Sequence, residues 1–493
     1  MTQLDACALS ELAGRVAVPS YDRGGVRVGI VHFGVGGFAR SHLTMYVDRL
    51  MEQGLALEWG VCGVGVLPSD RRMQEALDPQ DGLYTLVVKS PDGGYDARVV
   101  ASLMRYLFAP DDPEAVVETM ADPATRIVSL TITEGGYNID AVTGEFVRDD
   151  PAIQRDLTSG APPATVFGLV TEALARRRDR GVPPFAVMSC DNVQHNGQVA
   201  RGSFATYAEM RDPELGAWVR SEVSFPDSMV DRITPVTTDG DRAELARRFG
   251  VEDRWPVVCE PFTQWVLEDA FPLGRPPFEQ AGVQLVEHVE PYELMKLRLL
   301  NASHQALAYF AHLCGYRLVH EACQDPLFAR FLLAYMDREG RPTLAPVPGV
   351  DLPAYMRQLV DRFSNPEVRD TVARLAAETS DRIPKWLLPV VRHNLAHGGE
   401  VHRAAAAVAS WARYAEGVDE QGQPIQVVDR LAERLTATAR RWPEEPLAFV
   451  GDRELFGDLA DNERFTAAYL DTLTSLHERG ARATLEALGA RDA

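Results

Sequence analysis

Short apolar segments alternate with segments of helical length through the first part of the chain, and this alternation restricts the fold more than any other feature. The apolar segments are rich in valine and isoleucine, which is typical of strands buried on both faces of a parallel sheet. They comprise residues 26–33, 59–66, 83–88, 97–101, 126–133 and 184–189. Strands that alternate with helices in this way form doubly wound α/β domains.

The pattern changes near Glu290 and Pro291. From Tyr292 onward nearly every segment has the spacing of apolar residues that helices show, and strand-like runs almost disappear. We therefore predict two domains. An α/β domain is expected over residues 1–290, and a predominantly α-helical domain over residues 291–493.

The composition is that of a large acidic globular protein. The chain has 493 residues, with 50 Lys and Arg against 71 Asp and Glu, so the formal net charge is −21. A charge of this sign repels nucleic-acid phosphates and anionic membranes, and neither is an expected partner. The sequence shows no secretory signal, no apolar stretch of about 18 residues, and no disulfide or zinc spacing among its cysteines. We therefore expect a cytoplasmic protein.

A glycine turn follows the first predicted strand directly. The segment VRVGIVHF leads into Gly34, Val35, Gly36 and Gly37, and the spacing from Gly34 to Ala39 matches G-x-G-x-x-A. Glycines in this position let the backbone approach a pyrophosphate, which the N-terminus of the following helix stabilises. The pattern predicts a Rossmann-like dinucleotide site; a glycine-rich turn without a ligand remains the alternative. The candidate cofactor-binding residues are Phe33, Gly34, Val35, Gly36, Gly37 and Phe38.

The second element of such a site is an acid after the second strand, which would bind the ribose hydroxyls of the cofactor. Here the first acid after that strand is Asp70. A carboxylate at this position favours NAD over NADP, because it repels a 2′-phosphate. Arg71 and Arg72 follow it and would weaken that discrimination. The alternative is a solvated aspartate at the start of a helix.

The segment from Glu293 to His304 carries polar residues in an apolar surrounding. On an α-helix with Lys296 at zero, Glu293 lies at about 60°, His304 at about 80° and Asn301 at about 140°. Burying these groups costs free energy unless they are paired or functional. A snorkelling lysine and a hydrogen-bonded core histidine are the structural alternative.

These residue types suit the oxidation of an alcohol. A desolvated lysine can accept the hydroxyl proton, and the amide of an asparagine can stabilise the developing alkoxide. A second asparagine, Asn192, follows a predicted strand, and ligands of open α/β sheets bind outside the carboxyl ends of the strands.

Several motifs in chain order resemble the polyol-specific long-chain dehydrogenases and reductases, and are most similar to the mannitol dehydrogenase branch of that family. The resemblance spans most of the sequence. The matching segments are GIVHFGVGGFARSH (29–42), YTLVVK (84–89), TITEGGY (131–137), SCDNVQHNG (189–197), FPDSMVDRITP (225–235), CEPFTQWVLED (259–269) and KLRLLNASHQALAY (296–309).

The resemblance implies a zinc-independent enzyme that uses NAD to oxidise a secondary alcohol of a polyol, such as D-mannitol or D-arabinitol, to a ketose such as D-fructose, and catalyses the reverse reduction. The general acid/base of the family falls on Lys296. The two asparagines that stabilise the oxyanion fall on Asn192 and Asn301. The substrate-orienting histidine falls on His304, and a residue implicated in proton transfer to solvent falls on Glu293.

Three further positions match substrate contacts of the family, namely Asp231, Arg374 and Arg382. At the last of these the family has a lysine, so the charge is kept while the geometry changes. The resemblance also implies a monomer.

Other functions fit parts of the sequence. A fructuronate-reductase type of sugar-acid oxidoreductase would use the same residues, and a non-catalytic sensor of NAD or sugars would not need the lysine, asparagine and histidine. Three histidines, His393, His397 and His402, suggest metal ligands only weakly, because Gly398 and Gly399 interrupt the helix. We therefore predict no metal. The sequence contains neither a G-x-S-x-G elbow nor a Walker A motif.

Overall fold

The computed structural model describes residues 1–140, 144–158 and 160–490. The chain forms two compact units, Met1–Val289 and Glu290–Ala493. The first unit contains the strands β1 Thr2–Gln3, β2 Val28–Phe33, β3 Gly60–Gly65, β4 Tyr84–Lys89, β5 Tyr95–Val100, β6 Leu103–Phe108, β7 Ile127–Leu130, β8 Ala186–Ser189, β9 Ser228–Asp231, β10 Val251–Glu252, β11 Val257–Cys259, β12 Gln264–Glu268 and β13 Gln284–Val286.

A five-stranded parallel sheet organises this unit, with the strand order β6-β3-β2-β7-β8. Successive side chains of β2 enter different apolar cores, with Ile30 in one and Val31 in the other. Phe33 is in register with Val64 of β3 and Leu130 of β7, so the carboxyl ends of these strands lie side by side. The predicted α/β class is confirmed.

Two of the predicted strands belong elsewhere. Strands β4 and β5 were expected in the parallel sheet, but they pair with each other antiparallel, and β4 also pairs with β11. A tight turn causes this arrangement: Gly93 has φ +82°, and the backbone N–H of Ser90 donates to Gly94 at 2.9 Å. One edge of the parallel sheet is instead β6, a strand that the apolar pattern did not reveal.

Two smaller sheets complete the first unit. Strand β12 pairs with β9 antiparallel and with β13 parallel, and β1 pairs with β10. The helices of this unit are α1 Leu9–Leu12, α2 Gly37–Ser41, α3 Leu43–Glu52, α4 Arg71–Leu77, α5 Pro113–Ala121, α6 Pro151–Thr158, α7 Val166–Asp179, α8 Asn196–Arg211, α9 Pro213–Glu222 and α10 Asp239–Phe249. The single helix expected after the glycine turn is broken at His42, where φ is −122° and ψ is −91°.

All regular elements in the described part of the second unit are helical, and extended backbone there forms only isolated bridges. Its helices are α11 Glu290–Met295, α12 Ala302–Leu313, α13 Val319–Gln324, α14 Pro326–Tyr335, α15 Leu352–Phe363, α16 Val372–Ala376, α17 Thr379–Trp386, α18 Leu388–His397, α19 His402–Ala415, α20 Ala432–Ala439, α21 Arg453–Phe456 and α22 Glu463–Ala490, which is kinked at Gly480. This agrees with the predicted helical C-terminal region. Short 3₁₀ turns lie at Arg23–Gly25, Pro68–Asp70, Asp78–Gln80, Glu134–Tyr137, Phe278–Ala281, Arg341–Thr343 and Leu459–Asp461.

Two π-helical segments interrupt the helices of this unit. One, Lys296–Asn301, joins α11 to α12, and the other, Met336–Gly340, extends α14. The two segments are tied together, because the hydroxyl of Tyr335 donates to the carbonyl of Arg298 at 3.1 Å. A Cβ on Gly340 would lie 2.9 Å from the side chain of Leu299 and 3.3 Å from the carbonyl of Arg298, so the two segments approach closely at this glycine.

Candidate active site

The glycine turn has the geometry that a dinucleotide site requires. Gly34 has φ +90°, and a Cβ at this position would lie 2.0 Å from the carbonyl oxygen of Thr131, so no other residue fits. The turn closes through a 2.7 Å hydrogen bond from the backbone N–H of Gly36 to the carbonyl of Gly34. It therefore holds the backbone close to the carboxyl end of the neighbouring strand β7.

A buried histidine supports this turn from behind. One ring nitrogen of His32 lies 2.6 Å from the hydroxyl of Ser129, and the other lies 3.0 Å from that of Thr131. The hydroxyl of Thr131 in turn donates to the carbonyl of Gly34 at 2.7 Å. Burial lowers the pKa of His32 to about 4, so the ring is neutral near pH 7.

The outer side of the turn has room for a ligand. Gly36 is exposed, and a Cβ built on it would meet nothing closer than 3.9 Å. The side chains of Phe33 and Val35 are buried in different cores, which leaves only their backbone groups to contact a cofactor. Phe38 is half-buried and stacks on His42 at 4.8 Å. These features fit the pyrophosphate of a dinucleotide.

Asp70 lies beyond the end of β3, where an acid for the ribose is expected. Its Oδ2 accepts hydrogen bonds from the backbone N–H groups of Val66 at 3.0 Å and Leu67 at 2.9 Å. The carboxylate therefore shapes the turn after β3, and both of these hydrogen bonds use the same oxygen atom.

Asn192 lies on the exposed loop after β8, directly after a buried carboxylate. That carboxylate, Asp191, accepts hydrogen bonds from the backbone N–H groups of Ile132 and Thr133 and from the hydroxyl of Tyr137, at 3.0, 2.9 and 2.8 Å. Burial raises the pKa of Asp191 to about 6. The loop that carries Asn192 is thereby fixed to the loop that follows β7.

The amino end of β9 is joined to the loop that carries Asn192 through buried amide contacts. Asn196 donates to the carbonyls of Asp191 and Ser228, and its Oδ1 accepts from the backbone N–H of Ser228. Asp231, at the end of β9, is 5% exposed. The next residue, Arg232, donates to the carbonyl of Ser41 at 2.6 Å, which connects this strand end to the helix after the glycine turn.

The predicted catalytic residues of the second unit lie on the first π-helical segment and the helices on either side of it. Lys296, Asn301, His304 and Glu293 are all between 6 and 8% exposed. Treating the whole segment as α-helix was wrong, because the backbone N–H of Ala302 donates to Leu297, five residues earlier. An i→i+5 turn places Asn301 about one turn above Lys296, closer to its face than the α-helical angle predicts.

The environments of Asn301 and His304, which follow Lys296 in the chain, bear on their proposed roles. The Oδ1 atom of Asn301 is buried and has no hydrogen-bond partner among the described residues, which is unusual for a buried amide and is consistent with a group kept for a ligand. The ring of His304 packs against Phe363 at 4.5 Å, which restricts its orientation.

The two predicted arginine contacts of this unit lie on neighbouring helices. Arg374 forms a bidentate ion pair with Asp370, at 2.7 and 2.5 Å, while its side chain stays 54% exposed. Arg382 donates to the carbonyls of Arg374 and Leu375 at 3.0 and 3.3 Å. Burial raises the pKa of the Asp370 carboxylate, but the ion pair with Arg374 outweighs it and lowers the pKa, with a smaller electrostatic contribution from His304.

Sequence reasoning missed one acid in each unit. Asp191 follows a strand end and Asp370 precedes α16, and both positions resemble ordinary turn aspartates in the sequence. Cys190, next to the first of them, is buried, and burial raises the pKa of its thiol, so the thiol is unreactive. In the described ranges no three His, Cys, Asp or Glu side chains are grouped to hold a metal ion, and no helix there is long and apolar enough to cross a membrane.

The parallel sheet, the glycine turn and the acid after the second strand define an oxidoreductase of the Rossmann type with a helical second unit. Two family models identify the family within this class of oxidoreductases. The mannitol dehydrogenase Rossmann domain matches residues 28–280, and the mannitol dehydrogenase C-terminal domain matches residues 288–477. The chain belongs to the mannitol dehydrogenase family.

Individual relatives are similar over nearly the whole chain. A mannitol 2-dehydrogenase of Phaeosphaeria nodorum is 46% identical over 98% of this chain and 85% of its own length. One of Aspergillus fumigatus is 44% identical over 98% of both chains. Among solved structures, the ternary complex of Pseudomonas fluorescens mannitol 2-dehydrogenase with NAD and D-mannitol has a TM-score of 0.90 at 44% identity, covering 99% of both chains. A D-sorbitol dehydrogenase in substrate-free form also has a TM-score of 0.90, at 38% identity, covering 98% of this chain and 100% of its own.

Proposed function

We propose that this protein uses NAD to oxidise a secondary alcohol of a polyol to a ketose and catalyses the reverse reduction, with D-mannitol and D-fructose as the principal pair. The relatives named for mannitol support the substrate. The observation that carries the chemistry is the buried lysine Lys296 on a π-helical segment, with the buried amide of Asn301 about one turn away.

NAD supplies a nicotinamide ring that accepts the hydride from the alcohol carbon. The backbone from Phe33 to Phe38 would hold its pyrophosphate, because Gly34 fixes the turn and Gly36 leaves space beside it. Asp70 would bind the ribose hydroxyls and repel a 2′-phosphate. We assign the first domain, residues 1–290, to dinucleotide binding.

Lys296 acts as the general base that takes the proton of the substrate hydroxyl, and as the general acid in the reverse direction. Asn192 and Asn301 donate hydrogen bonds to the oxygen as it gains negative charge. Glu293 lies three residues before the lysine and passes the proton to solvent. No step requires a metal ion.

The remaining hydroxyls of the substrate need donors and acceptors at fixed positions. His304 would orient the reacting end of the substrate, because packing against Phe363 restricts its ring. Asp231 would accept from polyol hydroxyls, and Arg374 and Arg382 would contact the far end. We assign the second domain, residues 291–493, to catalysis and substrate binding, and we propose a cytoplasmic monomer.

The test is the formation of NADH, followed by absorbance, when pure protein is mixed with NAD and a panel of D-mannitol, D-arabinitol, D-sorbitol and a sugar acid. We expect the highest kcat/KM with D-mannitol, D-fructose as the product, and unchanged rates after treatment with a chelator. A preference for the sugar acid would assign the alternative oxidoreductase function. Absence of turnover with every substrate, in the presence of NADH binding, would indicate a sensor instead.

A further inference from the structure

The first residue after Asp70 is engaged in a bidentate ion pair. Arg71, at the start of α4, forms two parallel hydrogen bonds with the carboxylate of Asp111, from Nη1 at 2.7 Å and from Nη2 at 2.5 Å. The guanidinium also lies over the ring of Phe108, 4.3 Å from its centroid. The two parallel hydrogen bonds neutralise the charge of the guanidinium, and together with the stacking on the aromatic ring they fix its orientation.

This ion pair lies at the edge of the sheet where the acid for the ribose is found. Strands β3 and β6 are neighbours, with Gly65 in register with Phe108, and the chain continues from these strand ends to Asp70 and to Asp111. The other arginine of this segment, Arg72, is directed over the ring of Trp255 at 5.2 Å. Two arginines that follow a ribose-binding acid would normally attract a phosphate, and here each has another contact.

We propose that Asp111 is a specificity-determining residue for the cofactor, because it holds Arg71 in an ion pair and so withholds that cation from the 2′-phosphate of NADP. This inference rests on the proposed function, in which NAD binds beside Asp70. Two acids would then select NAD over NADP. Asp70 repels the 2′-phosphate directly, and Asp111 neutralises the guanidinium of Arg71, which would otherwise compensate for that repulsion.

The charges of the three side chains explain the direction of the effect. With Asp111 present, two carboxylates and one guanidinium leave a net negative charge where a 2′-phosphate would bring a charge of about −2. Without the Asp111 carboxylate, the guanidinium of Arg71 is released and the net charge of the cluster becomes zero. Because the paired side chains are 45% and 48% exposed, solvent screens the interaction and the effect is moderate.

The experiment measures dissociation constants for NADH and NADPH by fluorescence titration in wild type and Asp111→Asn. We expect the NADPH/NADH affinity ratio to rise about five- to tenfold in the variant, with less of a rise at high salt. In the double variant Arg71→Ala/Asp111→Asn the gain should disappear, because no cation remains to be released. The ratio of kcat/KM values for the two cofactors should move in the same direction.

Asp112→Asn is the matched control, since it removes the same charge one residue further along. Its side chain accepts from the backbone N–H of Ala115 at the start of α5, and asparagine serves equally well in that position. An unchanged ratio in Asp111→Asn, an equal rise in Asp112→Asn, or a rise that persists without Arg71 would each overturn the inference. If the wild type binds neither nucleotide, it is the proposed function that fails.

Discussion

The carboxylate of Asp191 accepts a hydrogen bond from the backbone N–H of Thr133, a residue held at φ +64° and ψ 169°. A β-branched residue rarely adopts a positive φ, and such conformations persist only where the surroundings enforce them. Here the enforcing group is the buried acid that directly precedes Asn192. The strained loop after β7 and the loop of the proposed oxyanion-binding amide are thereby fixed to each other.

Asp191→Asn should lower the free energy of unfolding by about 2–3 kcal/mol, measured by urea denaturation. The two oxygens of this buried carboxylate accept from three donors, the backbone N–H groups of Ile132 and Thr133 and the buried hydroxyl of Tyr137. An asparagine replaces one oxygen with an NH₂ group, so at least one of these donors loses its acceptor and faces another donor.

Asp212→Asn is the control for this substitution. Asp212 also binds two backbone N–H groups, at Glu214 and Leu215, but both use the same oxygen and the site is exposed. The control should lose less than about 0.5 kcal/mol. Equal losses in the two variants would show that the buried contacts of Asp191 carry no special weight.

The local features of the site could be predicted from the sequence, because they depend on neighbouring residues. The glycine turn is one example: a strand, a G-x-G-x-x-A spacing and a helix predict it, and Gly34 has the required conformation. The class of the fold followed from the alternation of strands and helices for the same reason. The antiparallel pairing of β4 with β5 could not be predicted, because an apolar run by itself does not distinguish a parallel from an antiparallel neighbour.

The π-helical segment could not be predicted, since nothing near Lys296 in the sequence encodes an additional residue in the turn. The carbonyl of Arg298 in this segment accepts a hydrogen bond from the hydroxyl of Tyr335, and Gly340 packs against Leu299. The π-helical conformation therefore depends on residues far along the chain. The sequence therefore identified the polar residues of this helix but placed Asn301 at the wrong angle. The functional assignment of these residues remains a prediction.

Gly34→Ala and Gly36→Ala should separate the folding role of the turn from its binding role. At Gly34 the added methyl group would overlap the carbonyl of Thr131 at an unfavourable φ, so we expect a loss of about 3 kcal/mol or more in stability. At Gly36 the added methyl group enters open space, so stability should change by less than about 1 kcal/mol while NADH affinity falls about tenfold or more. Thermal melts and NADH titrations measure the two effects, and full NADH affinity in Gly36→Ala would place the cofactor elsewhere.

Lys296→Ala should reduce kcat about 10³-fold with NADH binding largely retained, because the variant has no group to accept the hydroxyl proton. Lys296→Arg should be similarly slow, since a guanidinium keeps the charge but does not release its proton near pH 7. The chain offers a matched control in Lys385, an exposed lysine of α17, whose replacement by alanine should leave kcat unchanged. Steady-state kinetics compares the three variants, and near-normal turnover in Lys296→Ala would remove this lysine from the mechanism.

Glu339 provides a pH dependence of stability that is independent of the proposed mechanism. This buried carboxylate, on the second π-helical segment, accepts from the backbone N–H groups of Arg403 and Ala404 at the start of α19, at 2.7 and 2.8 Å. Burial nevertheless raises the pKa of Glu339 from 4.5 to about 7. The folded state therefore binds this proton more tightly than the unfolded state, and the contribution of the group to stability falls as the pH rises between these two values.

Glu339→Gln removes this titration, so wild type should lose about 3 kcal/mol relative to the variant as the pH rises from 4.5 to about 7. Urea denaturation of wild type and Glu339→Gln across this pH range isolates the contribution of Glu339 to the free energy of unfolding, because all other titrating groups are common to both proteins. Glu433→Gln, at an exposed position of α20, should give a curve parallel to that of wild type. A parallel curve for Glu339→Gln as well would mean that the carboxylate stays ionised. Its two hydrogen bonds to the start of α19 and its ion pair with the buried guanidinium of Arg403, at 3.5 Å, would then outweigh the cost of burial.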